Sequence, residues 1–192
     1  MKKVFLFIAC SLTLAVASAQ VKFGVKAGAN FSNLTGKDAE DTKMKIGYYG
    51  GGMVQIPVSA QFLVQPELIY SKQGWKSDVE DEDAKANLGY VNIPVLAKFK
   101  TTSGFFVEAG PQIGFLVSAK AKVGDESGDI KESFKATDFS MALGLGYELP
   151  AGFGVSARYN LGLSSIAEES EATVKNGVIQ VGVHYVFSGG RR

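Results

Sequence analysis

Cysteine is almost missing from this chain: its single residue is Cys10. Past that position there is neither a disulfide nor thiol chemistry to build on. Histidine and tryptophan also occur once each, as His184 and Trp75, so a Ser-His-acid hydrolase could draw on one imidazole only. No run of about 18 apolar residues follows residue 20, which excludes helical membrane spans. An excess of charge is absent too, with 20 Lys and Arg against 19 Asp and Glu. That balance offers no basic face for nucleic acid.

The first segment is of a different kind. Lys2 and Lys3 precede an apolar run from Val4 to Ala17, and Ala17-Ser18-Ala19 is a small-x-small cleavage site. This is the layout of a secretory signal peptide over residues 1–19. Ile8-Ala9-Cys10 offers a lipoprotein alternative, but the apolar stretch before Cys10 is short and another follows it. Removal at Gln20 takes the only cysteine with it. One domain, residues 20–187, and a short tail, 188–192, remain.

What is abundant is alternation. Every second residue is apolar along eight segments, roughly 21–31, 44–57, 61–73, 88–100, 104–120, 137–149, 152–163 and 177–187. Phe23-x-Val25-x-Ala27, Val91-x-Ile93-x-Val95, Phe139-x-Met141-x-Leu143-x-Leu145 and Ile179-x-Val181-x-Val183-x-Tyr185 show it. Period two is the strand period. The stripe carries no charge, and the residues between are mostly glycine, small or polar. Three connections are short (57–60, 100–104, 150–152) and four are long (32–43, 74–87, 121–136, 164–176). Fifteen of the nineteen acidic residues fall in the long ones. Alternating short turns and long loops on an even strand number describe an all-β, eight-stranded antiparallel up-and-down transmembrane β-barrel, with short periplasmic turns and four longer extracellular loops.

A soluble barrel with a greasy lumen is the rival. Its outer surface would carry charge at about a quarter to a third of positions, and the non-apolar face here is far sparser. That face holds Lys22, Lys26, Glu67, Lys98, Glu108, Glu148, Arg158 and His184, a nearly neutral mixture suited to a small filled lumen. Each buried ion needs a counterion; Arg158 is expected to pair with Glu108 or Glu148, and Lys98 with one of the same acids. Aromatics near the strand ends form two expected girdles: Phe62, Phe99, Phe105, Tyr147, Phe153, Tyr185 and Phe187 at one rim, Phe31, Tyr48, Tyr70, Phe115 and Phe139 at the other. Trp75 is expected to anchor at the outer interface. Pro66, Pro94 and Pro111 break the ladder's supply of donors and predict bulges or unpaired positions.

The last strand contains Gln180-Val181-Gly182-Val183-His184-Tyr185-Val186-Phe187. With Gln180, Gly182, Tyr185 and Phe187 at the signal positions, it is similar to the terminal signal by which bacterial outer-membrane barrels are recognised for insertion, except that residues 188–192 follow it. Three further stretches, 65–74 (QPELIYSKQG), 88–98 (LGYVNIPVLAK) and 107–114 (VEAGPQIG), resemble the PorT-like outer-membrane β-barrel family of bacteria. The resemblance implies an eight-stranded barrel in the outer membrane of a Gram-negative bacterium and makes the three prolines family features. It implies no single function.

Catalysis finds little support. A Ser-His-acid hydrolase needs a histidine beside its nucleophile, and His184 with Ser156 or Glu148 would sit in a packed lumen. Gly50-Gly51-Gly52 and Gly144-Leu145-Gly146 lack the helix and lysine of a phosphate loop. The acidic run Asp78 to Asp83 lacks the glycine and spacing of a calcium loop. No catalytic residue, metal or cofactor is therefore expected. The expected role is structural or interactive, with outer-membrane lipids and lipopolysaccharide around the barrel, the barrel-assembly machinery during insertion, and a surface protein partner. A narrow channel or transport component, a lipid-modifying enzyme and a soluble lipocalin-like carrier are the alternatives.

Overall fold

The computed structural model describes residues 21–36, 43–79, 82–123, 126–167 and 174–187. The segment 1–19 expected to be a signal peptide, with Cys10, and the tail 188–192 lie outside them. Among the described residues nine strands form: β1 (Lys22–Thr35), β2 (Lys43–Pro57), β3 (Phe62–Val79), β4 (Glu82–Lys100), β5 (Phe105–Val123), β6 (Glu126–Asp129), β7 (Thr137–Glu148), β8 (Phe153–Gly162) and β9 (Lys175–Val186). Eight of them close a ring in the order β4-β3-β2-β1-β9-β8-β7-β5, with β5 returning to β4. The short β6 extends the far end of β5. All pairings are antiparallel, so the fold is a closed up-and-down barrel. The segment β9 pairs with both β8 and β1, from Gly24↔Val186 to Thr35↔Lys175, and completes the cylinder.

The period-two pattern dictates which way each side chain points. Phe115, Leu143 and Val181 are 40%, 49% and 48% exposed, whereas Glu108 and Arg158 are each 4% exposed. A protein in water would waste its apolar surface in this arrangement and bury its ions at a cost. In hydrocarbon the same arrangement is the stable one, because a closed barrel also pairs its backbone internally.

One end of the barrel is made by three tight turns. Val58 N–H donates to the Phe62 carbonyl at 2.8 Å, Thr101 N–H to Phe105 at 2.8 Å, and Leu149 N–H to Phe153 at 2.8 Å. Gly104 and Gly152 adopt φ of +100° and +90° in two of these turns, a region costly for other residues.

The loop end differs from the sequence reading. The expected loop 74–87 is largely strand, since β3 and β4 stay paired out to Val79↔Glu82. The expected loop 121–136 contains the end of β5, the β6 hairpin and a 3-10 turn at Lys131–Ser133. Backbone pairing continues past the point where the apolar stripe stops, because above the membrane a strand needs no apolar face.

The prolines resolve without bulges. The β3–β4 register runs unshifted through Pro66↔Val95, and β4–β5 through Pro94↔Gln112. Each proline instead leaves a short unpaired gap against the preceding strand: between Met53↔Glu67 and Ile56↔Val64, between Pro66↔Val95 and Ile69↔Asn92, and between Pro94↔Gln112 and Ala97↔Ala109. A strand residue aims its N–H at one neighbour only, so a proline costs the ladder on one side.

Candidate functional site

Lumen-facing residues follow from the alternation, and they meet because eight strands leave an interior that side chains just fill. Arg158 on β8 lies at the centre. Its Nη1 and Nη2 donate to the two oxygens of Glu67 on β3, both at 2.8 Å, and its Nε donates to Glu108 on β5 at 2.9 Å. Lys26 Nζ reaches Glu67 Oε1 at 3.2 Å. Two cations thus face two carboxylates, and the fork of the guanidinium spans both acids.

A second cluster surrounds Glu148, nearer the turns. It accepts from Lys100 Nζ at 2.7 Å and Gln55 Nε2 at 3.0 Å, with Lys98 Nζ at 3.5 Å and His184 Nε2 at 3.3 Å. Gln65 joins the clusters: its amide donates to Glu67 at 2.7 Å, and its carbonyl oxygen accepts from Gln55 and Lys98 at 3.1 and 3.3 Å. The structure therefore brings Lys26, Glu67, Lys98, Glu108, Glu148, Arg158 and His184 into one network.

The partners differ in part from those expected. Arg158 takes Glu67 as well as Glu108, because β3 lies across the lumen at its level. Lys98 takes Glu148. Gln55, Gln65 and Lys100 were missed, although Gln55 and Gln65 stand at lumen-facing positions of the alternation. Lys22 sits at the mouth instead, in a cleft of about 250 Å³ among the turns, with Lys100 and Phe187.

Glycines make the bulky side chains fit. A Cβ on Gly146 would come within 2.4 Å of the Phe106 ring, and one on Gly144 within 3.0 Å of Glu108. Phe106 in turn lies under Lys98 Nζ, 3.6 Å from the ring centroid.

Above the ions the lumen changes character. Asn30 Nδ2 donates to Ser71 Oγ at 2.9 Å, and Gln180 Nε2 donates to Asn30 Oδ1 at 3.0 Å. Lys45, also missed, is buried there and donates to the Ala86 carbonyl at 2.7 Å and to Asn87 Oδ1 at 2.7 Å. Higher still, Leu34, Leu88, Tyr90, Leu116, Ala119 and Ile166 form an apolar cluster against which Trp75, Ile130, Phe134 and Val174 pack. Ile166, Ile130 and Phe134 come from the loop end. Lys135 N–H bonds the Ile166 carbonyl at 2.9 Å, and Phe134 bridges to Ala167.

Trp75 is therefore part of this cap and not an outer anchor, with its ring 5.8 Å from that of Phe134. Trp75 continues the inward face of Ser71 and Gln73 on β3, so the alternation itself carries past Gly74 into the cap. Of the terminal-signal residues, Gln180 and Gly182 line the lumen, while Tyr185 and Phe187 face outward and meet edge to face at 5.4 Å.

Chemically the network is a set of ion pairs linked by side-chain amides. His184 bonds a carboxylate that three other donors already share. Among the described residues no group of three His, Cys, Asp or Glu is placed to hold a metal ion. Asp78 to Asp83, the acidic run weighed for cations, lies where side chains are outside the described set.

Comparison with known proteins gives the same architecture. Neisserial surface protein A has 15% sequence identity and a TM-score of 0.57, covering 86% of this chain and 97% of its own. The attachment invasion locus protein Ail of Yersinia pestis has 17% identity and a TM-score of 0.50, covering 86% and 98%. At such identities the likeness is one of fold. Among curated protein sequences nothing matches. The model of the outer membrane protein beta-barrel domain matches residues 16–168, most of the chain, and the chain belongs to that family.

Proposed function

We propose that the protein is a non-catalytic, non-conducting barrel of the Gram-negative outer membrane that anchors a surface for contact with other molecules. One observation carries this reading: the lumen is filled along its length. Lys98 and Phe106 are 1% exposed in the ionic half, and Leu88 and Ala119 are fully buried under the cap. A water-filled channel would leave its lining wet. The loop end is itself tied down by Phe134, Lys135 and Ile166, which suits a rigid recognition surface. The turns then face the periplasm and the β3–β4 and β5–β6 hairpins face outward. The residues 65–74, 88–98 and 107–114 support a place among PorT-like members, and Gln180, Gly182, Tyr185 and Phe187 support recognition by the barrel-assembly machinery.

Planar-bilayer recording on the refolded protein tests the reading. Insertion without step currents is the expected result. Steady open currents would replace it with the narrow-channel alternative.

A further inference from the structure

We propose that the cleft at the mouth of the turn end binds a phosphate group presented from the water on that side. The site goes beyond the anchoring role above. It stands on the closed barrel and on the charges of one end, whether or not the lumen conducts.

Charge is out of balance at this end. The stretches 21–24, 53–63, 97–107, 146–156 and 183–187 meet there through the pairs Lys22↔Gln55, Phe62↔Phe99, Phe105↔Tyr147 and Phe153↔Tyr185. Besides Glu108 and Arg158, which lie deeper and hold each other, they carry Lys22, Lys98 and Lys100 against one acid, Glu148. The deeper group of Arg158, Lys26, Glu67 and Glu108 balances itself and lends no charge. Glu108 stands opposite Lys98 but is taken by Arg158. Glu148 is already shared by Lys100 at 2.7 Å and Lys98 at 3.5 Å. Among the described residues no carboxylate pairs with Lys22. Two positive charges are thus left over, and a protonated His184 would only add to them.

The excess lines a cleft of about 250 Å³, with Lys22, Lys100, Thr102 and Glu148 in its wall. The cleft is blind, because Lys98 and Phe106, each 1% exposed, fill the lumen beneath. Of the three protons on Lys100 Nζ, Glu148 engages one. The Thr101 hydroxyl is committed to the Phe105 carbonyl, whereas that of Thr102 has no partner among the described residues. Both oxygens of Glu148 are covered, one by Lys100 and the other by Gln55 and Lys98, so an entering anion meets ammonium and hydroxyl groups first. Charge selects the anion. A phosphate monoester carries about −1.5 to −2 at pH 7 with three acceptor oxygens, which matches the surplus, while a carboxylate leaves half of it unneutralised. Lysine takes phosphate as a point charge. The ligand comes from water and not from the bilayer, because outward Tyr147, Phe153 and Tyr185 stand between the mouth and the hydrocarbon.

The test is an amide chemical-shift titration of the refolded full chain in nonionic detergent with inorganic phosphate, glycerol 1-phosphate and acetate. Both phosphates should bind saturably, with shifts confined to Lys22 and the turns at 100–104 and 150–152, and acetate should bind more weakly. Loss of one charge-assisted bond weakens binding by about tenfold, so Lys22→Gln should lose that much. Lys22→Gln with Lys100→Gln should abolish saturation, and Lys131→Gln at the loop end should bind as the parent does. Folding is checked by heat-modifiable migration. Lys22→Gln alone, at the mouth and outside the ion pairs, decides the case if the double variant does not fold. Equal affinity of the parent and Lys22→Gln overturns the site, as do shifts at the loop end or a titration that does not saturate. Acetate binding as tightly as the phosphates overturns the choice of phosphate. Inorganic phosphate equal to the ester assigns the cleft to the free ion, and a tighter ester assigns it to a phosphorylated small molecule; both support the site. A failed titration leaves the bilayer recordings as they are, and step currents with phosphate binding intact remove only the closed-lumen reading.

Discussion

At the scale of single residues, the lumen is governed by neutralisation. Glu67 compensates both Arg158 and Lys26, so Glu67→Leu strands two buried cations and should destabilise the barrel by about 3–5 kcal/mol. Urea unfolding in detergent reads this, and an unchanged midpoint would mean that the pair is solvated. Asn160 makes the converse case. Both polar atoms of its side chain are buried without a partner, as is Asn92 Nδ2. Removing an unsatisfied amide relieves its desolvation penalty, so Asn160→Leu, of similar shape, should raise stability by about 1 kcal/mol. A lower unfolding free energy would show that the amide finds partners. Gly146→Ala meets the Val155 carbonyl at 2.3 Å and the Phe106 ring at 2.4 Å, and overpacking of this kind costs about 1–3 kcal/mol.

At the scale of elements, each strand is a two-faced object, and the faces tolerate opposite changes. Leu143→Arg on β7 puts charge on the hydrocarbon side, at about 2–4 kcal/mol, and should abolish insertion into lipid vesicles measured by heat-modifiable migration. Asp81→Lys, in the acidic run between β3 and β4, should insert normally, and equal yields of the two variants would contradict the assignment of faces. β9 closes the cylinder against β1. It lies beyond the family match at 16–168, yet its lumen face supplies Gln180 to Asn30 and His184 to Glu148. Gln180→Leu with His184→Leu should therefore lower the folded fraction read by heat-modifiable migration, and an unchanged fraction would mean that closure does not need these contacts.

For the whole molecule, the ions and the apolar cap occlude the lumen in series. Ile166→Asp and Phe134→Asp should loosen the cap, seen as faster protease cleavage near residues 134–167, without opening a conductance. The ionic half below remains filled by Arg158, Lys98 and Phe106. Currents in these variants would place the barrier in the cap alone.

Period two and the absence of charge on one face determined the eight strands of the ring, the direction of every stripe and the side on which Arg158, Glu108 and His184 lie. Those are local properties: a strand's alternation is written in consecutive residues, and hydrocarbon sorts them by polarity alone. Which ions pair was decided only by tertiary structure, because Glu67 and Arg158 are 91 residues apart and meet through the closure and stagger of the ring. The inward place of Trp75 follows the parity of Ser71 and Gln73, but it lies past residue 73, where the apolar stripe ends and a loop was expected to begin. The extension of β3 to β5 past the membrane was hidden for a related reason. There the ladder is held by backbone hydrogen bonds, and side chains released from hydrocarbon no longer announce which face they occupy.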